Sequence, residues 1–260
     1  MPSTTLTQSA AIQLRVIYAL VMREVITRYG RNNIGFLWLF VHPMLFTTCV
    51  TFIWSMRRAG VSSTIPIATL ALTGYSATML WRQSSARCLK ALDSNAGLLW
   101  HRNVKPIDVY LARIFLEIVG TSVSLIVLTL LFYSVGQISA PADVLKILCG
   151  WFLLCTFSLS LGLLVGIISE KIENFNRFWS IFTFLLFPIS GAAILVDWAP
   201  PSFQKILLLV PMVHGIEVIR EGFCGSSIHA HYDLTYLALI TAIMLFISLT
   251  LRQSNLSRTS

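Results

Sequence analysis

Asn95-Ala96-Gly97-Leu98-Leu99-Trp100-His101-Arg102-Asn103-Val104-Lys105-Pro106-Ile107-Asp108 decides how this chain is folded. It lies at the centre of a charged interval, Arg82 to Arg113, that carries Arg82, Arg87, Lys90, Arg102, Lys105 and Arg113. Apolar runs long enough to cross a bilayer flank the interval on both sides. Short loops rich in Lys and Arg are retained on the cytoplasmic face of a membrane. The interval therefore sets the topology, and we expect it to be where an energy source is coupled.

Working outward, the whole chain has the composition of a polytopic membrane protein. Of its 260 residues, 56% are hydrophobic and 12% charged, with a mean hydropathy of +0.76. A soluble domain carries roughly 25% charged residues. The net charge of +8 sits mostly in loops, where it serves topology and anionic headgroups rather than nucleic acid. The five cysteines form no CxxC pair and suggest neither a metal nor a redox role. The N-terminus lacks the short apolar core and cleavage site of a signal peptide, so the first span is expected to remain in the mature chain.

Residues 1–33 read as a cytoplasmic tail and an amphipathic helix. Leu14, Tyr18, Val21, Met22, Val25 and Tyr29 share one face, and Gln13, Arg23, Glu24, Thr27 and Arg31 the other, with Arg28 at its edge. A basic amphipathic helix just before a span lies on the membrane surface; a helix packed on its own protein is the alternative. Residues 34–251 read as the transmembrane domain, with six spans over 34–54, 65–81, 109–135, 144–168, 178–196 and 232–251. Asp108 is the expected N-cap of the third span. Residues 203–221 are apolar but broken by Pro211 and read as a re-entrant helix, because irregular backbone at membrane depth must be buried or line a cavity. A seventh span through 203–218 is the alternative. With six spans, both termini, including a tail over 252–260, fall on the basic, cytoplasmic side.

No GxxxxGK[ST], HExxH or GxSxG motif occurs, so the chain has no phosphate-cradling loop of its own. On a helix, His214, Glu217 and Glu221 share a face, with Arg220 beside them. Acid–base chemistry is one reading of that group, and an ion-pair cluster lining a path is the other. Arg113 and Glu117, one turn apart, suggest an intrahelical salt bridge or a gate between subunits. Ser158, Gly162 and Gly166 form a small-xxx-small face of the kind that lets helices approach, a weak sign of dimerisation. Trp38, Trp54, Trp81, Trp179 and Trp198 fall near span ends, where interfacial anchoring is the default. Aromatic faces also stack on sugar rings, which makes Trp38, Trp81 and Trp179 candidates for lining a glycan path.

Three stretches together carry a resemblance. Arg23-Glu24, Arg28-Tyr29-Gly30, Gly35-Phe36-Leu37-Trp38 and Pro43 resemble the opening of type-2 ABC exporter permeases. Asn95-x-Gly97-Leu98, Arg102-x-Val104-Lys105-Pro106-Ile107-Asp108, Ala112-Arg113 and Glu117 are similar to the capsular polysaccharide export permeases (KpsM-like). Pro211-x-Val213-His214-x-x-Glu217-x-x-Arg220-Glu221 matches the same family near its end. Asn103 and Val210 depart from the pattern, where proline and asparagine are expected. The resemblance implies an all-α ABC-2 type permease that dimerises with itself and pairs with two copies of a cytoplasmic ATPase. That partner would hold ATP and magnesium; no cofactor is expected in this chain, and it is not expected to be an enzyme by itself. A periplasmic polysaccharide co-polymerase and an outer-membrane exporter are further implied partners. The implied cargo is a lipid-linked capsular polysaccharide crossing the bacterial inner membrane, with O-antigen, teichoic acid or a small drug as alternatives. Arg23, Glu24, Arg28, Arg102, Lys105 and Asp108 would contact the ATPase or the anionic lipid end of the cargo. Arg113, Glu117, His214, Glu217, Arg220 and Glu221 would form pathway or gating ion pairs.

Overall fold

The computed structural model describes residues 6–30, 33–57, 65–99 and 104–259. Among them, the chain is helical, with irregular connections and no strand. The amphipathic segment forms α1 (Leu6–Tyr29), and the first span α2 (Asn33–Arg57). Next come α3 (Ile67–Cys88), a short α4 (Ala96–Leu99), α5 (Pro106–Ser134) and α6 (Val144–Lys171). Then follow α7 (Phe175–Leu186), α8 (Pro201–Leu207), α9 (Pro211–Cys224) and α10 (Leu234–Thr259).

Among the described residues, four stretches, Leu37–Met56, Pro106–Ser134, Val144–Lys171 and Leu234–Arg252, are long and apolar enough to cross a membrane. The central helix, α3, is not among them, and the reason is its position. α2, α5, α6 and α9 pack around it, so it has almost no surface left for lipid, and Trp81, Ser84 and Ser85 are fully buried. Two of its threonines are satisfied within the helix, Thr73 Oγ1 donating to Thr69 O and Thr78 Oγ1 to Gly74 O, each at 2.8 Å. A helix hidden from lipid tolerates Thr and Ser when such bonds are made. α3 also runs past the predicted end at Trp81 to Cys88, which shortens the charged loop to residues 89–105.

That loop is tied down. Lys90 N–H donates to Ser169 Oγ at 3.1 Å and Leu92 N–H to Glu170 Oε1 at 3.2 Å, both at the end of α6. Asp108 is not the N-cap of α5. Pro106 opens the helix, its fixed φ suiting the first position, and the Asp108 carboxylate reaches back to accept the Lys105 N–H at 2.9 Å.

Two further expectations are revised. The predicted fifth span, α7, stops at Leu186 after 12 residues, roughly 18 Å, instead of running to Val196. Pro188 lacks the amide that would continue it, and the carbonyls that follow are captured by another side chain. The Ser158/Gly162/Gly166 face packs inside the subunit. A Cβ on Gly166 would stand 2.6 Å from Tyr110 Cε1, and one on Gly162 2.9 Å from Ile114 Cδ1. The motif thus serves the α5–α6 contact. The segment over 203–221 is a broken pair, α8 and α9 bent by 106°, rather than one straight span.

Candidate functional site

At the end of the bundle that carries α1 and the charged loop, the ionic edge of α1 is turned onto α5. Val16 and Leu20 pack below it, while Leu14, Tyr18, Met22 and Ile26 remain exposed. The helix thus lays one side on protein and leaves an apolar stripe open. Arg28 Nε pairs with Glu24 Oε1 at 2.7 Å, and Arg28 Nη1 with Glu117 Oε1 at 2.5 Å. Arg87 Nε, from α3, also meets Glu117 Oε1, and Arg113 Nε meets Glu24 Oε1, both at 3.2 Å. Arg113 Nη1 donates to Arg87 O at 2.9 Å. The expected Arg113–Glu117 bridge is therefore replaced by crossed pairs that join α1, α3 and α5. Glu117 lies beneath α1, where two arginines from other helices reach it more directly.

Burial opposes the charge on Arg28, but Glu117 and then Glu24 outweigh it and raise its pKa above the ordinary arginine value. Arg23 Nη1 adds a bond to Asn95 Oδ1 at 2.8 Å, which ties α1 to the charged loop. A cavity of about 320 Å³ opens here, lined by Arg23, Glu24, Arg28, Arg87, Asn95 and Arg113 among others. With Glu117 included, four arginines face two glutamates, an excess of two positive charges. Arg28 Nη2 is buried with no hydrogen-bond partner. Asp108 is fully buried and bonded to Gln13 Nε2 of α1, so it holds the loop rather than presenting a surface. Lys105 is exposed; Arg102 lies outside the described residues.

The second predicted cluster is divided. Arg220, fully buried, pairs with Glu217 Oε1 at 3.1 Å. Its Nη1 donates to Ile194 O at 2.9 Å, and its Nη2 to Gly191 O at 2.5 Å and Ala192 O at 3.2 Å. These are the carbonyls freed where α7 ends. His214 uses both ring nitrogens: Nδ1 accepts the Asp233 N–H at 2.9 Å, so Nε2 carries the proton facing Leu208 O at 2.9 Å. Glu221 is elsewhere, accepting Tyr232 O–H at 2.7 Å and pairing with Lys146 at 2.9 Å. The three groups do not converge on one open site, which removes the geometry that acid–base chemistry requires. Among the described residues, no three His, Cys, Asp or Glu side chains are placed to hold a metal.

The aromatic candidates separate as well. Trp81 is at 0% exposure and Trp179 at 8%, with Trp179 Nε1 donating to Ser85 Oγ at 3.2 Å. Both belong to the core and neither faces a path. Trp38 is 53% exposed. Arg87 and Gln13 were missed as site residues by sequence reasoning. Arg87 stood out only as one charge among six, and Gln13 carried no signal beyond lying on the polar face of α1.

A helical bundle with lipid-length apolar helices, a polar central helix and an ionic network at one end defines a polytopic helical membrane protein. The sequence profile of the ABC-2 type transporter family matches residues 15–224, from α1 through α9, and the chain belongs to that family. It is 43% identical over 248 residues to the capsule polysaccharide export inner-membrane protein CtrC of Neisseria meningitidis serogroup B, covering 95% of this chain and 94% of that protein. Identity to the capsule polysaccharide export inner-membrane protein BexB of Haemophilus influenzae is 40% over the same shares. The polysialic acid transport protein KpsM of Escherichia coli is 29% identical over 242 residues, 92% of this chain and 93% of its own length.

Proposed function

We propose that this chain is the membrane permease of an ATP-driven exporter that carries lipid-linked capsular polysaccharide across the inner membrane. The observation that carries the reading is likeness along 95% of the chain to a capsule export protein. The permease works as a homodimer with two copies of a separate cytoplasmic ATPase, which hold the ATP and magnesium. A periplasmic co-polymerase and an outer-membrane exporter receive the polymer. Both termini and the loop over 89–105 face the cytoplasm.

In this reading the ATPase pushes on α1 and the loop. The pairs Arg28–Glu117 and Arg113–Glu24 carry that displacement to α5, and Arg87 carries it to α3. Rigid helices joined by charge-assisted bonds transmit motion because they move together. Deleting the gene in its host and locating the glycan tests the function. Phospholipid-anchored acidic polymer trapped inside the cell is the expected result. Trapped polyprenyl-linked glycan would change the cargo, and a normal surface with nothing trapped would overturn export of glycan altogether.

A further inference from the structure

Beside the ionic cavity lies a second one, about 160 Å³, lined by Trp38, Leu39, His42, Gln83 and Arg87. Arg87 lines both cavities. Its Nε is engaged by Glu117, yet its side chain keeps 45% of its surface open. The two cavities therefore share Arg87, whose guanidinium is anchored by Glu117 while its side chain stays partly open.

The chemistry on the two sides of Arg87 differs. Toward α2 stand an exposed indole, an exposed imidazole and the Gln83 amide. Gln83 gives an N–H to the weak acceptor Met79 Sδ at 3.2 Å. Toward α1 stand Arg23, Arg28 and Arg113, with the orphan Nη2 of Arg28. An electron-rich ring face suits the weakly positive C–H face of a sugar, while an amide and an imidazole suit its hydroxyls. The guanidinium groups suit phosphate or carboxylate.

We infer that Trp38, His42, Gln83 and Arg87 form a binding site for the sugar next to an anionic linkage, with the linkage itself in the arginine-lined cavity. The ligand class is a lipid-linked sugar joined through a phosphodiester. That this is the exporter's own cargo rests on the reading above. An anionic phospholipid headgroup shares half of this chemistry, and the experiment separates the two.

The full-length permease labelled with 5-fluorotryptophan is placed in nanodiscs, and the Trp38 resonance is assigned with Trp38→Phe. The probe is glucuronic acid joined through a phosphodiester to diacylglycerol. Phosphatidylglycerol and neutral glucosyl diacylglycerol are the comparisons. We expect the acidic glycolipid to move the Trp38 resonance at concentrations at least tenfold below either comparison. Calorimetric titration of the same nanodiscs with the acidic glycolipid reads the variants: Trp38→Ala and Arg87→Gln weaken its binding by tenfold or more, and Trp38→Phe keeps most of it. A Trp38 resonance that the glycolipid leaves still, or variants that bind it normally, would overturn the site. Equal response to phosphatidylglycerol would reduce it to a headgroup contact and overturn the sugar assignment. Export in cells keeps the two claims apart. If gene deletion blocks export but both variants export normally, the site fails and the function stands. If deletion leaves export intact, the function fails and the nanodisc titration still decides the site.

Discussion

Arg28 on α1 and Glu117 on α5 are joined Nη1 to Oε1 at 2.5 Å, across a sequence separation of 89 residues. Glu117 is buried, with 3% of its side chain exposed. The amphipathic helix is thus bonded to the bundle through a buried carboxylate that α1 shares with Arg87 of α3.

Removing Glu117 takes from Arg28 one of its two carboxylates and leaves it Glu24, a loss smaller than the roughly 3–5 kcal/mol of a buried charge left wholly unpaired. Glu117→Ala is expected to release α1, seen as faster hydrogen exchange along Leu6–Tyr29 with α6 unchanged. The exchanged pair Arg28→Glu with Glu117→Arg should recover part of the loss, because the two sites are directly coupled. Equal exchange in wild type and Glu117→Ala would remove this bond from the docking of α1.

Arg220 is expected to tolerate no substitute, lysine included. A single ammonium cannot span the carbonyls of Gly191, Ala192 and Ile194 together with Glu217, which the planar fork does. With Ala193 replaced by cysteine, a maleimide should label the segment after α7 in the Arg220→Lys background. The same cysteine in an otherwise unchanged chain should stay protected. Labelling that does not differ between the two would mean that the segment is held by something else.

Gly74→Ala and Gly97→Ala should behave oppositely. A Cβ on Gly74 would sit 2.0 Å from the backbone oxygen of Ala192, a clash with main chain that no rotamer relieves. Little folded protein is expected from that variant by size-exclusion chromatography in detergent. Gly97 has nothing within 4 Å of the added carbon, and alanine there should be neutral or add up to about 1 kcal/mol of helix preference.

A cysteine-accessibility scan through Phe203–Val218 tests the bent pair. A re-entrant element leaves both ends labelled from the same side of the membrane, whereas a seventh span places them on opposite sides. The first pattern is expected, with a reactive cysteine in the C-terminal tail labelled from the cytoplasm.

Much of the fold could be read from residue patterns. Long apolar runs located α2, α5, α6 and α10 because lipid demands an uninterrupted greasy surface. Pro211 marked the break before α9. Apart from the Asp108 cap, which turns on its neighbours Lys105 and Pro106, the errors share a cause: they concern residues whose partners lie far away in sequence. Gln83-Ser84-Ser85-Ala86-Arg87 looked like loop, yet it extends a helix whose neighbours come from α2, α5 and α6. The end of α7 depends on an arginine in α9. Arg113 and Glu117 suggested one another, and only the docking of α1 redirects both. Trp81 and Trp179, placed by position at span ends, are instead enclosed by later helices. Glu24 and Arg28 were singled out by the family likeness, but no periodicity pointed to their partners on α5.

The hydroxyl-rich character of α3 has a bearing on how the protein is made. Lipid partitioning favours a segment in proportion to its apolar surface, and α3, with Thr69, Thr73, Ser76, Thr78, Ser84 and Ser85 along its length, gains little from lipid by itself. Its proper surroundings, α5, α6 and α9, are synthesised after it. During biogenesis the helix therefore waits for neighbours that do not yet exist, and its insertion becomes a late, collective event of the whole bundle.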